Sequence, residues 1–384
     1  MTGAMYAAIA GLKTHMQNLN VIGNNVANIN TYSYKAGRSV FQTAIYTQLT
    51  GGSNGTATVA GRNPSQIGYG ASMGSVDVDM GSGNYAATGN PTDCMIDGQG
   101  FFLLGDKTLP NNFAANPDDP SLFTGLTLTR VGDISFKADG YLSNYAGMAV
   151  YGFLCTGVYA EGDTIPAGKK VGDPIFSDQL VPIRYPRIRS VTTGTGDDAA
   201  TGLEVAYPTV AEGGQLTDAV NTEGGDNAEE LPFAQFSSIS IAPETGIISG
   251  TCKDTGQTVI IGALAIGNVT NPNGLTMESN NYYTVGEGAG DLTITLYGGA
   301  AETMGISRVN GSLRPDDDTT GVDLFTIRSG GAKERILSGG LEMSKTDLAQ
   351  EISNMITTQR GYQANTRIIT VTDSMLEELV NMKR

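Results

Sequence analysis

The chain has 384 residues, 40% of them hydrophobic and 16% charged, and carries a formal net charge of −16. That size allows about two or three compact domains. The acidity argues against nucleic acid as a partner, because phosphate binding needs a basic face that releases counterions. Solubility and mutual repulsion between free copies account for it. The 52 glycines favour turns and tight strand connections over helix.

In chain order, Met5, Ile9, Leu12, Met16, Leu19, Ile22, Val26 and Ile29 recur every three or four residues. This predicts an amphipathic helix of about four to five turns with one apolar stripe. Gly23 with Asn24, Asn25, Asn28 and Asn30 supplies its stop, since these side chains compete for backbone groups and tolerate left-handed conformations. The asparagine cluster has two balanced readings: it ends a helix, or its amides cross-link neighbouring chains. Residues 31–75 lose periodicity and read as an extended connector. Val76, Val78 and Met80 then alternate with Asp77 and Asp79 as a strand does.

From 76 to 155 the signals are strands and tight turns. Asp97-Gly98-Gln99-Gly100 between Cys94–Ile96 and Phe101–Leu104 predicts a hairpin, as does Asp139-Gly140 between Ile134–Phe136 and Tyr141–Leu142. Residues 107–120 form a Pro/Asn/Asp loop. The stretch 156–235, with Asp197, Asp198, Glu223, Asp226, Glu229 and Glu230, reads as a solvent-facing outer insertion or small β-subdomain. Strand signals resume at 236–241, 246–250 and 259–266, and an acidic loop at Asp316–Asp318 precedes a strand at Leu324–Ile327.

At the C-terminus, Leu341, Leu348, Met355, Tyr362, Ile369 and Leu376 recur at every seventh position, and Ile352, Ile356, Leu379 and Val380 widen the stripe. No proline follows residue 341, so the pattern predicts one helix over 341–384, about 60 Å long. Ser344 with Asp347 resembles an N-cap box. A sustained heptad requires a packed helical partner. The expected fold class is α+β and multi-domain. Residues 1–30 with 341–384 form paired N- and C-terminal helices, a coiled-coil-like axial domain. Residues 31–75 are the connector, 76–155 with 236–340 a mainly antiparallel β core domain, and 156–235 a β-rich outer insertion.

No catalytic, cofactor-binding or metal-binding constellation is legible, so neither an enzyme nor a cofactor is expected. The single histidine, His15, lies on the N-terminal helix and reads as a surface or interface residue. Gly98-Gln99-Gly100 precedes a strand rather than a helix, which excludes a phosphate cradle. Asp77/Asp79 and Asp316–Asp318 lack calcium-loop spacing. Cys94, Cys155 and Cys252 form no metal-ligand spacing; one unassigned disulfide stays open, and small buried hydrophobes are the preferred reading. No cleavable signal is expected at the N-terminus, and no stretch reaches the length of a membrane span.

Leu19–Lys35, with its core Gly23-Asn24-Asn25-Val26-Ala27-Asn28, closely resembles the N-terminal signature of the bacterial flagellar rod and hook proteins. Leu341–Leu348 and Gln359–Asn365 resemble the C-terminal signature, although Lys345 departs from the usual pattern. Asp97–Phe102 and Thr129–Phe136 resemble the family's β core, and Gly267–Leu275 is similar to a stretch typical of its hook members. The likeness covers about 1–155, 236–290 and the chain from 335; it is poor over 190–235 and 291–330.

The resemblance implies a self-assembling subunit of a helical tube, in which terminal helices line a central channel. A hook subunit transmitting torque is favoured over a distal-rod subunit by length. Implied partners are further copies of the chain, rod, hook-cap and hook–filament junction proteins, and a type III export apparatus that leads it outside the cell. A surface β-domain binding protein that oligomerises is the remaining alternative, and the polar pocket it needs is not legible. The assembly interface is expected at Leu12, Met16, Leu19, Ile22, Asn24, Asn25, Val26, Asn28, Leu341, Leu348, Ile352, Met355, Tyr362, Ile369 and Leu376.

Overall fold

A computed structural model describes residues 2–55, 60–107, 126–159, 171–177, 180–193, 200–210, 216–217, 232–243, 246–253, 255–290, 292–296, 305–309, 312–314 and 335–382. The loop expected at 107–120 beyond Lys107, the six acidic residues noted between 197 and 230, Asp316–Asp318 and the Leu324–Ile327 strand lie outside the described residues. The protein is α+β, and every strand pairing is antiparallel among the described residues. It divides into two compact units, Met1–Asp79 with Ser344–Arg384, and Met80–Met343.

The first unit holds helix α1 (Thr2–Ala27), helix α2 (Leu348–Asn381) and two strand pairs. Gly37–Thr43 pairs with Ala71–Val78, and Tyr46–Thr50 pairs with Ser65–Gly68. The stretch 31–75 is therefore not a featureless connector. Its strands escaped the sequence pattern because few of their side chains are buried on either face, which removes the period-two signal. Gly70, at φ +101°, lies against α1, where a Cβ would come within 2.9 Å of the Ala10 side chain.

The second unit is built on one large sheet. Its central run orders Thr276–Met277, Tyr282–Thr284, Thr127–Thr129, Phe101–Gly105, Ala149–Val158, Thr258–Val269 and Leu292–Leu296. Phe236–Ile241, Ile247–Cys252 and Thr258–Val269 pair in succession as a meander. Ile96, Phe102, Leu104, Leu154 and Leu264 sit at the centre of the core. The three residues Leu180, Val181 and Ile183 are also buried, so the start of the expected outer insertion is part of the core. A smaller cluster of Ile188, Ala234, Cys252 and Val259 packs against Phe236 and Tyr207.

Asp139-Gly140 closes a hairpin, with Leu142 opposite Phe136. Asp97–Gly100 does not. Cys94–Asp97 pairs with Arg335–Ser338, and Tyr85–Ala87 pairs with Gly340–Glu342. Among the described residues these are the only ladder partners of the unit's first two strands. Arg130, fully buried, donates to the carbonyls of Ile96 at 3.0 Å, Met80 at 3.3 Å and Gly98. Its guanidinium also lies 3.9 Å from the buried Glu342 carboxylate, whose other oxygen accepts from Gly83 N at 2.6 Å.

The three cysteines are free and buried. Burial pushes the Cys94 thiol far up and the Cys155 thiol to about 11, so both are inert small hydrophobes under ordinary conditions.

Candidate assembly surface

Helix α1 has 26 residues, about seven turns rather than the expected four to five or so, because it runs through the expected stop at Gly23, Asn24 and Asn25. It stops where Asn28 folds back: its amide nitrogen donates to the Asn24 carbonyl at 3.0 Å and side-chain oxygen at 2.8 Å. Thr31 Oγ1 then donates to Asn28 Oδ1. The Asn24 carbonyl thus accepts from both the backbone N–H and the side-chain amide of Asn28, and the helix closes on its own asparagines.

Helix α2 begins at Leu348, seven residues later than the heptad suggested. Asp347 caps it by accepting from the backbone N–H of Ala349 and Gln350. Leu341 lies in the Gly340–Glu342 strand of the second unit and is 5% exposed. Its agreement with the seven-residue phase is coincidental, and it is no part of a helical surface.

The two helices run antiparallel: contacts that climb α1 descend α2. Gly11 meets Asn365, His15 meets Gly361, Asn18 meets Thr358, and Asn25 meets Glu351. Each helix contributes one glycine at which the partner's side chain sits. A Cβ at Gly11 would lie 2.7 Å from Asn365 Nδ2, and one at Gly361 would lie 2.7 Å from the His15 ring. Glu351, Thr358 and Asn365 recur every seventh residue, and the buried Thr372 continues the step. The seam facing α1 is thus polar.

Two asparagines tie the seam to the neighbouring strands. Asn18 donates to Thr358 Oγ1 at 2.9 Å and accepts from Ser39 Oγ. Asn25, 1% exposed, donates to Gly37 O at 2.8 Å and Glu351 Oε1 at 3.0 Å. Its oxygen accepts from Gly37 N and Tyr34 OH. The Tyr34 phenol is pushed up by burial and then by the Glu351 charge. Asn25 therefore spends both amide hydrogens and its oxygen within the chain, and is unsuited to cross-linking neighbours.

The apolar residues fall elsewhere. On α2, Leu348, Ile352, Ile356, Ile368, Val371, Met375, Leu376, Leu379 and Val380 are exposed, and Met355, Tyr362 and Ile369 are half-buried. On α1, Met16 is exposed, Leu12, Leu19 and Val26 are half-buried, and Ile22 is buried inside the unit. Asn24 is exposed and Asn28 half-buried. Sequence reasoning missed Gly11, Asn18, Glu351, Thr358 and Asn365. The seven-residue recurrence of the α2 members was the available signal, obscured by the parallel recurrence of apolar residues three positions earlier. Among the described residues, no helix is long and apolar enough to cross a membrane.

Residues 337–382 match the model of a family described as flagellar basal body rod FlgEFG protein C-terminal, and residues 5–35 match one described as flagella basal body rod protein. The chain is 27% identical over 386 residues to the flagellar basal-body rod protein FlgG of Bacillus subtilis, covering all of both chains. It is 27% identical over 459 residues to the flagellar hook protein FlgE of Borreliella burgdorferi, again covering all of both. It is 24% identical over 432 residues to the flagellar hook protein FlgE of Salmonella typhimurium, covering 98% of this chain and 99% of that one.

Proposed function

We propose that this chain is a member of the bacterial flagellar rod and hook protein family and serves there as a structural subunit of the flagellar hook. The observation that carries the assembly reading is the division of α2: its polar seam is used within the chain, while most of its apolar side chains, among them Leu348, Ile352, Ile356, Val371 and Val380, stay exposed. Exposed apolar faces of this size call for burial against other copies. In the assembled tube the two helices form an inner, coiled-coil-like layer. Many copies stacked in this way make a tube that bends while it rotates and carries torque from rod to filament. The chain acts as a building block rather than a catalyst, and it reaches its place through the flagellum's own export apparatus.

A distal-rod subunit is the second reading, favoured by the whole-length match to a rod protein of nearly the same length. Electron microscopy of basal bodies from a deletion strain separates the two. Completed rods without hooks are the expected result; loss of the distal rod would replace the hook reading with the rod one.

A further inference from the structure

We infer that Arg335–Glu342 is a closing strap: it seats last, and until it does the first strands of the second unit stay open. The topology carries this. Tyr85–Ala87 and Cys94–Asp97 open the unit, and the strands that complete them come from its far end. Three bonds beyond the ladders follow the same pairing: Gly339 N donates to Asp93 O at 2.8 Å, Thr88 N donates to Gly339 O at 3.0 Å, and Met343 N donates to Asn84 O at 2.8 Å, while Cys94 N donates to Gly132 O at 3.0 Å. Ile336, fully buried, shares the core with Cys94 and Ile96.

Two further features make seating all-or-none. Gly340 passes so close to Tyr85–Ala86 that a Cβ would lie 2.4 Å from the Ala86 carbonyl. Arg130 reaches carbonyls on the entering chain, Met80 and Ile96, and faces Glu342 on the strap. Its guanidinium is therefore closed off from water only when both sides are in place. By contrast, the meander from Phe236 to Val269 joins consecutive strands. Local pairings form ahead of those that must close a long loop. A chain delivered N-terminus first consequently keeps this unit open until its last strands arrive. The inference rests on topology and stands apart from the hook reading.

The three buried thiols report on it. Cys94 pairs with Ser338 on the strap, whereas Cys155 and Cys252 lie in the interior sheet. The full chain is diluted from denaturant, pulsed with a thiol reagent at increasing delays, and read by mass spectrometry. Cys155 and Cys252 are expected to become protected first, and Cys94 last, together with the amides of Arg335–Glu342. Protection of Cys94 before or alongside the other two overturns the proposal. A second measurement uses full-length Gly340→Val under native conditions. Cys94 labelling should rise about tenfold or more while Cys155 and Cys252 keep their parental rates. Unchanged Cys94 labelling, or equal acceleration of all three, overturns a separable strap.

Discussion

Asn25 joins α1, the following strand and α2 through a single carboxamide, and its replacement has a specific cost. Asn25→Ala leaves the backbone groups of Gly37, the Tyr34 hydroxyl and Glu351 without that partner. Each buried polar group so stranded costs about 1–3 kcal/mol. The expected outcome is early loss of amide protection in α1 and α2, with the second unit unaffected, read by hydrogen exchange. Gly361 makes the opposite point about propensity. Alanine is favoured over glycine in a helix by about 1 kcal/mol, yet a Cβ here meets the His15 ring. Gly361→Ala should therefore loosen the helix pair, and should turn into a gain once His15→Ala removes the ring. A double-mutant cycle measured by thermal unfolding tests this.

Alkaline titration is also decided at single side chains. Burial pushes the phenols of Tyr185, Tyr207 and Tyr282 up to about 12. In the unfolded chain they ionise near about pH 10, so between these values the folded state holds the protons more tightly. Their contribution to stability is complete below about pH 10 and is lost as pH rises toward about 12. Thermal melts across that window, followed with tyrosinate absorbance, should show a falling midpoint; a flat one would contradict the burial of these rings.

At the scale of the element, α2 carries two heptads out of phase, one polar and one apolar. Ile352→Asp and Met375→Asp alter side chains exposed in the single chain, so its stability should change by about 0.5 kcal/mol or less. Assembly should nevertheless fail. Leu348→Asp and Met355→Asp should likewise block polymerisation and spare the β unit; hooks of normal length in those strains would count against the reading. Both helices were legible from periodicity, but their limits were not. The apolar phase continues by chance into Leu341, and only the Asp347 cap marks where α2 begins. The strands at 37–50 and 65–68 were illegible because none of their side chains is buried, whereas the end of Ala71–Val78 was read from the alternation at 76–80. The polar seam was hidden because glycine, threonine and asparagine gain their meaning only from the close approach of α1.

Across the whole molecule, what the sequence could not disclose is pairing at long range. The turn chemistry of Asp97–Gly100 is that of a hairpin, and nothing local distinguishes it from Asp139–Gly140, which does close one. The difference lies with Arg335–Ser338, which claims Cys94–Asp97 from the other end of the unit. Pairings in this protein are nested: α1 with α2, then Tyr85–Ala87 with Gly340–Glu342, then Cys94–Asp97 with Arg335–Ser338.

Nesting separates the length of the chain from the parts that its ends must form. Arg187–Thr193 and Ala200–Ala206 pair as a two-stranded ribbon, with Thr193 opposite Ala200 at the end that residues 194–199 join. A small folded domain grafted between those two residues would lengthen the chain without displacing any contact of α1, α2 or the strap. Such a graft should leave assembly competent, with added mass visible on each subunit. The architecture is thus permissive in its middle and exacting at its ends, which lets descendants of one subunit differ greatly in bulk while keeping the same way of being built in.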